Sequence, residues 1–504
     1  MAASAPMNPR EKRETRLRRC KIICTLGPSS ETDEQITALI AGGMDAARLN
    51  LTFGTADEHG ARIAQIRRLA KAAGRCVAII ADLPGPKVRL GKLAVKKTML
   101  ERGTELRFVL DNGKPNEPGR LPVGRRFFHD DLIRGDKILF GEGIVELRVT
   151  DVRPFDVGAE VINGGEVSEQ TAVHVPGMTL RHGPVWEEDL PHLELSVKHD
   201  VDYVALTYVR DGNDIIGVRE HIEKLGASIP LIAKIERSEA FSRLDGILGR
   251  ADAVMMRRGD LGAEIELTRV PLVQKEVVRL ANNRGVPVII ATQMLGSMIT
   301  NARPTRAEAS DVFNAVADGA DGVMLSSETA VGLHPVRALA MMDRIILEAE
   351  REHFSRNRAP QMVSYPSPFP DAIARSAVRA AEEAECTVIA CFTESGRSAG
   401  MVAKYRPEVP ILAFCPTEAV QRRMEIYWGI EADLLDVVTD VEVLVQNVEA
   451  RLLETGRVKP RDRIAIVFGA PVGELGRTNT VRLHQISDLR PSNPPPATSG
   501  RPSA

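Results

Sequence analysis

The chain has 504 residues, more than one hydrophobic core normally organises, and 43 % of them are apolar, so several well-packed domains are expected. Its 66 basic and 68 acidic side chains leave a net charge of −2. That balance argues against nucleic acid or an anionic membrane as the main partner, so an anionic substrate must be drawn in by a local site. The six cysteines, Cys20, Cys24, Cys76, Cys386, Cys391 and Cys415, lie mostly in apolar runs without metal-ribbon spacing, and read as buried thiols of a reducing compartment.

In chain order, residues 1–19 are basic but lack an apolar stretch, and Glu11 and Glu14 argue against a transit peptide. They are expected to form a disordered tail. No apolar run is long enough to span a bilayer, so a cytoplasmic location is expected. From Cys20 onward, strand-like runs at 20–26, 46–50, 76–82, 203–209, 230–236, 252–256, 287–292 and 321–325 alternate with helical patterns such as 56–74, 214–226 and 335–350. Eight alternations are the count of a (β/α)₈ TIM barrel, here built from 20–86 and 185–357, with a doubly wound sheet as the alternative. The interruption at 87–184 shows short alternating runs at 106–110, 137–140, 145–152 and 160–167, as expected for a small β-barrel lid inserted after the third barrel strand. A Pro- and Ser-rich linker at 359–370 opens a C-terminal α/β domain, 358–490, with buried parallel strands at 387–393, 410–414 and 463–469. Residues 491–504 have the composition of a disordered tail.

Barrel enzymes carry their chemistry at the C-terminal ends of the strands. Those ends supply Arg48 and Asn50, Asp82, Thr207 with Tyr208 and Arg210, Lys234 and Glu236, Thr292, and Ser326 with Glu328, while Asp260 follows strand six. In a strand, Lys234 and Glu236 point to the same face. Such a pair can hold a phosphoryl group and its metal, or be a structural salt bridge. In 258-RGDLGAEI-265, Asp260 can supply a second carboxylate to a hard cation, and the two glycines let backbone N–H groups approach an anion. Two carboxylates plus substrate oxygens is the usual Mg²⁺ arrangement in phosphoryl transfer.

The segments 21-KIICTLGPSS-30, 48-RLN-50, 85-GPKVR-89, 234-KIE-236, 258-RGDLG-262, 291-ATQML-295, 303-RPTRAEASDV-312, 324-MLSSETA-330 and 477-RTNT-480 resemble pyruvate kinase, over roughly residues 20–485. The resemblance implies transfer of the phosphoryl group of phosphoenolpyruvate to ADP, giving pyruvate and ATP, the last step of glycolysis, by a homotetramer using Mg²⁺ or Mn²⁺. It implies that Glu236 and Asp260 ligate the metal and that Lys234 and Arg48 hold the phosphoryl in flight. Backbone N–H groups near Gly259 and Asp260, with the Thr292 hydroxyl, would hold the substrate carboxylate, and Thr292 would deliver a proton through water. Arg89 would face the nucleotide. Asn50, Thr52, Asp82 and the Leu83 carbonyl match the family's K⁺ pocket, beside which many members have Glu where this chain has Lys87. The Lys87 ammonium can stand in for K⁺, so K⁺ is expected to be dispensable. Thr393, Ser395, Gly396, Arg397 and Ser398, in 393-TESGRSA-399, resemble the sugar-phosphate effector loop, the alternative being an ordinary strand-to-helix turn.

Four departures from the family pattern stand out. Phe53 replaces a His facing the nucleotide, 141-GEG-143 replaces an Asp-Asp-Gly turn, Glu188 replaces a Lys that meets nucleotide phosphates, and Arg257 replaces a small residue. Two rival readings remain: a metal-dependent aldolase or lyase on a similar barrel, and a weakened relative that binds phosphoenolpyruvate or a sugar phosphate as a regulator. No preferred nucleoside diphosphate or effector is legible.

Overall fold

The computed structural model describes residues 18–124, 131–141, 143–178, 185–355, 369–472 and 478–488. The expected C-terminal tail, and all but two residues each of the expected N-terminal tail and linker, lie outside them. So does the Glu142 of the 141–143 turn. The chain divides into two compact units, Met1–Arg356 and Asn357–Ala504.

In the first unit, β1 (Lys21–Thr25), β2 (Ala46–Asn50) and β3 (Ala78–Asp82) precede a nine-strand insertion, and β13 (Tyr203–Leu206), β14 (Leu231–Ile235), β15 (Ala253–Arg257), β16 (Val288–Ala291) and β17 (Gly322–Leu325) follow it. These eight strands are parallel and close into a barrel, β17 pairing back onto β1. A doubly wound sheet is excluded. Every residue of β1, β3 and β14 is buried, which is why these segments read as unbroken apolar runs. Two of the helices between them begin at capping boxes: Thr55 with Glu58 opens Ala56–Ala72, and Thr305 with Glu308 opens Arg306–Ala317. The first of these buries Ile63, Ile66, Leu69 and Ala70, one stripe at three- and four-residue steps.

An aspartate precedes every second barrel strand and fixes the start of the strand before it. Asp45 accepts from Ile22 N at 2.7 Å, Asp202 from Ile79 N at 2.7 Å, Asp252 from Leu231 N at 2.8 Å and Asp321 from Val288 N at 2.9 Å. Each satisfies an N–H that the parallel ladder leaves over at the strand's first turn inward. The pattern is visible in the sequence as Asp before AAR, YVA, AVM and GVM.

The insertion holds β4 (Val88–Arg89), β5 (Lys97–Leu100), β6 (Glu105–Leu110), β7 (Arg120–Val123), β8 (Lys137–Phe140), β9 (Val145–Val152), β10 (Asp156–Asn163), β11 (Gly165–Ser168) and β12 (Ala172–His174). Seven form a sheet in the order β4-β12-β8-β9-β10-β6-β7, and a bridge from Leu90 to Val123 draws its two ends together. Phe108, Phe140, Leu147 and Val157 lie in its core. The single strand expected at 160–167 is broken: a Cβ at Gly164 would sit 2.4 Å from the Leu100 carbonyl oxygen, so only glycine lets β11 leave β10 and pair with β5. The insertion departs from the barrel at Gly85, whose φ of +61° and 2.5 Å Cβ approach to Thr207 also exclude a side chain.

The second unit is a five-stranded sheet, β20 (Ile430–Leu434), β19 (Ile411–Cys415), β18 (Val388–Phe392), β21 (Arg463–Phe468) and β22 (Thr480–Gln485), parallel except for β22. Apolar clusters cover both faces. Among the described residues no helix is long and apolar enough to cross a membrane.

Asp202 is buried, and besides Ile79 N it holds Arg67 at 2.7 Å. Asp202→Ala is expected to lower stability by roughly 2–4 kcal/mol, since it strands a buried N–H and an arginine. Denaturant unfolding measures the loss, and unchanged KM values would show that it is confined to the end of the barrel remote from the strand C-termini.

Candidate functional site

The C-terminal ends of β2, β3, β14 and β15 converge on a cluster of buried charges. Asp82, last in β3, accepts from Arg48 Nε at 2.6 Å and from Lys234 Nζ at 2.5 Å. Arg48 also donates to Thr25 Oγ1 at 3.1 Å. Beside this triad lie Glu236 and Asp260, each bridged by two cations. Lys87 Nζ is 2.8 Å from Asp260 Oδ1 and 3.1 Å from Glu236 Oε1, while Arg257 lies 3.1 Å from each. Four cations therefore meet three carboxylates, leaving one positive charge.

Burial alone would raise all three carboxyl groups, but the cations outweigh it. Arg48 and Lys234 hold Asp82 well below the usual carboxylate range, Lys234 and Lys87 lower Glu236, and Arg257 and Lys87 hold Asp260 low. Burial in turn lowers Lys234, against the pull of Asp82 and Glu236. Burial also pushes His174 down to about 4, so its imidazole is neutral at physiological pH.

The arrangement suits a divalent cation. The Lys87 ammonium shows that one cation can reach oxygens of both carboxylates within 3.1 Å. Among the described residues there is no cluster of three or more His, Cys, Asp or Glu able to enclose a metal. Two carboxylates with the remaining positions open is how a hard ion is held when substrate oxygens and water complete its shell.

Thr292 and Gln293 follow β16 with φ of +70° and +56°, a left-handed pair without glycine. For a β-branched residue this conformation is strained and must be imposed. Arg258 imposes it: Nη2 donates to the Thr292 carbonyl at 2.9 Å and to the Gln293 carbonyl at 3.2 Å, and Nη1 is anchored on Asp311 at 2.6 Å. The Thr292 hydroxyl is thereby aimed at the short helix Arg258–Glu264, where it accepts from Gly259 N at 3.1 Å.

Not every polar strand end points inward. Arg210 pairs with Asp214 of the helix that follows it, Gly212–Lys224, at 2.6 Å, and Glu328 accepts from Leu295 N and Ser326 N at 3.0 and 2.8 Å. Both serve local structure. Asn50 Oδ1 accepts from Thr52 N at 3.3 Å, and the Leu83 carbonyl accepts from Thr207 Oγ1 at 2.5 Å. Near this group Asp82 is engaged by Arg48 and Lys234, while the Lys87 ammonium lies against Glu236 and Asp260.

Three residues to which the sequence reading assigned no role shape the site. Tyr208, at φ +58°, donates its N–H to Glu236 Oε2 at 2.8 Å, places its ring 5.0 Å from Lys87 Nζ, and has its hydroxyl 3.2 Å from His174 Nδ1. Arg258 is the third. Position at a strand end singled out Tyr208 but not the part its backbone N–H plays, and a lone histidine on an inserted strand gives no signal.

Between the barrel and the insertion opens a cleft of about 320 Å³, lined by Thr52, Gly85, Lys87, Arg89, Glu188 and His192 among others. Arg89 donates to the Gln170 carbonyl at 2.9 Å. Phe53 is 55 % exposed, and Gly141 turns the chain after β8 at φ +60°. In the second unit, Thr393 Oγ1 accepts from Gly396 N at 2.9 Å, Gly396 has φ +87°, and Ser398 Oγ lies 2.6 Å from Thr478 Oγ1 at the start of the helix Arg397–Ala403. Ser395 belongs to the same loop, and Arg397 is the first residue of that helix.

Comparison with known proteins gives one consistent result. A family model described as pyruvate kinase, barrel domain, matches residues 17–339, and one described as pyruvate kinase, alpha/beta domain, matches 371–484. The chain is 39 % identical to the pyruvate kinase of Mycobacterium intracellulare over 471 residues, 94 % of this chain and 99 % of that one. With that of Geobacillus stearothermophilus it is 39 % identical over 476 residues, 94 % and 81 % of the two chains. A crystal structure of a pyruvate kinase from Cryptosporidium parvum superposes with a TM-score of 0.83 at 31 % identity, covering 93 % of this chain and 96 % of that one.

The Asp82 triad gives a test that needs no substrate. Asp82→Asn keeps the shape but removes the charge that Arg48 and Lys234 share. A loss of about 3–5 kcal/mol in unfolding free energy is expected, the usual result of removing one partner of a buried pair.

Proposed function

The chain belongs to the pyruvate kinase family, and from that premise we propose how its residues divide the work. It is a phosphotransferase: the phosphoryl group of phosphoenolpyruvate passes to ADP, giving pyruvate and ATP. The family uses a divalent metal.

In this reading Glu236 and Asp260 hold Mg²⁺ or Mn²⁺, which when bound neutralises charge on the phosphoryl oxygens. Lys234 and Arg48, held side by side by Asp82, clamp the phosphoryl group from the other side. A loose transition state asks for positioned cations more than for a strong base, and these two are oriented before substrate arrives. The backbone around Gly259 and Asp260, with Thr292, receives the substrate carboxylate, and the strained turn keeps the Thr292 hydroxyl at the place where the enolate takes its proton, through water. Arg89 meets the nucleotide in the open cleft.

The single observation that carries the reading is the convergence of Lys234, Glu236 and Asp260, from the end of β14 and the short helix after β15, within one buried cluster. Lys234→Met should reduce kcat by about 10³-fold or more, because charge stabilisation of this kind is worth several kcal/mol, while circular dichroism stays native. A coupled assay for pyruvate, run with several nucleoside diphosphates, measures it; near-normal turnover would overturn the assignment. The same assay decides between full turnover and a weakened, regulatory relative.

The finer properties of the family extend to this chain as proposals: a homotetramer in the cytoplasm, and a sugar-phosphate effector at Thr393, Ser395, Gly396, Arg397 and Ser398. K⁺ at Asn50, Thr52, Asp82 and Leu83 is proposed to be dispensable, because the buried cluster already carries one surplus positive charge, with Lys87 among its cations. Initial rates in K⁺-free buffer should rise less than about twofold on adding KCl, and K⁺ dependence should emerge in Lys87→Glu, which returns a negative charge to the cluster. Strong K⁺ activation of the wild type would end this proposal.

A further inference from the structure

Arg257 is the last residue of β15, one place before the Arg-Gly-Asp segment. A short side chain there would simply close the strand. This guanidinium instead folds over both metal carboxylates, with Nη1 3.1 Å from Glu236 Oε1 and Nε 3.1 Å from Asp260 Oδ2. Lys87 bridges the same two groups. Two monovalent cations thus balance the pair of negative charges that one divalent ion would otherwise meet.

The two cations are not held alike. The Lys87 side chain is 6 % exposed and those of Arg48 and Lys234 are 7 % and 2 %, whereas that of Arg257 is 21 % exposed. Arg257 Nη1 donates to Glu236, but Nε, though at ion-pair distance from Asp260, has no hydrogen-bond partner among the described residues. A guanidinium held mainly by charge, on a flexible stem with a path to solvent, is the member of the cluster that can leave.

We propose that Arg257 is a built-in counter-cation of the divalent site, which neutralises Glu236 and Asp260 together with Lys87 until a metal ion arrives and must swing away for the ion to be ligated. This rests on the reading of Glu236 and Asp260 as the metal carboxylates. Arg257 then sets the affinity for the divalent ion below that of the bare carboxylate pair, and keeps the metal-free cluster compensated. It is a positioning residue, acting through the two carboxylates.

The test is Mn²⁺ binding to the full, metal-free chain without substrate, read from the electron paramagnetic resonance of free Mn²⁺. Wild type, Arg257→Ala and Arg257→Gln are compared, with Asp260→Asn as control. Removing a like charge at this distance should tighten Mn²⁺ binding by about tenfold or more in both Arg257 variants. Metal-free Arg257→Ala should melt below wild type, and saturating Mn²⁺ should raise its Tm by more than it raises the wild type's. Equal or weaker Mn²⁺ affinity in a natively folded Arg257 variant overturns the proposal; if Arg257→Ala does not fold, Arg257→Gln decides. Should Asp260→Asn bind Mn²⁺ as wild type does, the metal-site reading falls, and the proposal with it.

Discussion

A carboxylate taken out of water by itself gives up its charge to a proton, and an ammonium loses its own. Asp82, Glu236 and Asp260 stay ionised inside the barrel mouth only because Arg48, Lys234, Lys87 and Arg257 stand within ion-pair distance, and the cations depend on the carboxylates in return. At such distances an error of an ångström in one strand changes every balance in the cluster. The barrel is what prevents that error. Its strand ends come from distant parts of the sequence, yet four aspartates at the opposite end fix where β1, β3, β14 and β16 begin. Polar bonds at one end of the barrel thus hold the register on which the charges at the other end rely.

The insertion is drawn into the same balance. Lys87 lies just before its first strand and His174 in its last, and both reach the cluster: Lys87 by ion pairs, His174 through Tyr208 Oη at 3.2 Å. Arg237 of the barrel donates to the Met178 carbonyl beyond β12 and faces Glu264 at 3.8 Å. The contacts that seat the insertion are therefore partly the contacts that compensate Glu236 and Asp260. A cation or phosphate arriving at the cluster meets groups that also hold the insertion in place.

Much of this was legible in the sequence, and the exceptions have physical causes. All eight barrel strands stand out because a strand buried on both faces has no polar alternation to confuse it. The edge strands β20 and β22 escaped notice because they are only partly buried and carry Glu431, Asp433, Arg482 and His484. The break between β10 and β11 depends on a backbone approach at Gly164 that no pattern of side chains encodes. At the site, position at a strand end identified Arg48, Asp82, Lys234 and Glu236, but position does not give direction. Arg210 and Glu328 sit at equivalent places and turn to local partners. Tyr208 contributes through a backbone N–H made available by a left-handed φ, which leaves no mark on the sequence.

The departures from the family pattern acquire a common sense once they are placed in space. Arg257 and Lys87, where the family has a small residue and often Glu, both bring positive charge to the carboxylate pair. Glu188, where the family commonly has Lys, puts a negative charge on the wall of the open cleft. Phe53 contributes an exposed ring where a donor is usual. In this chain the cleft wall carries Glu188 beside Lys87 and Arg89, while four cations gather at the buried carboxylate cluster. Electrostatic attraction between unit charges a few ångströms apart is strong in a buried setting and weak at an open surface. A change of charge at the open wall therefore weighs less than the same change inside the cluster, so Lys87 and Arg257 bear more on the balance of this site than Glu188 does.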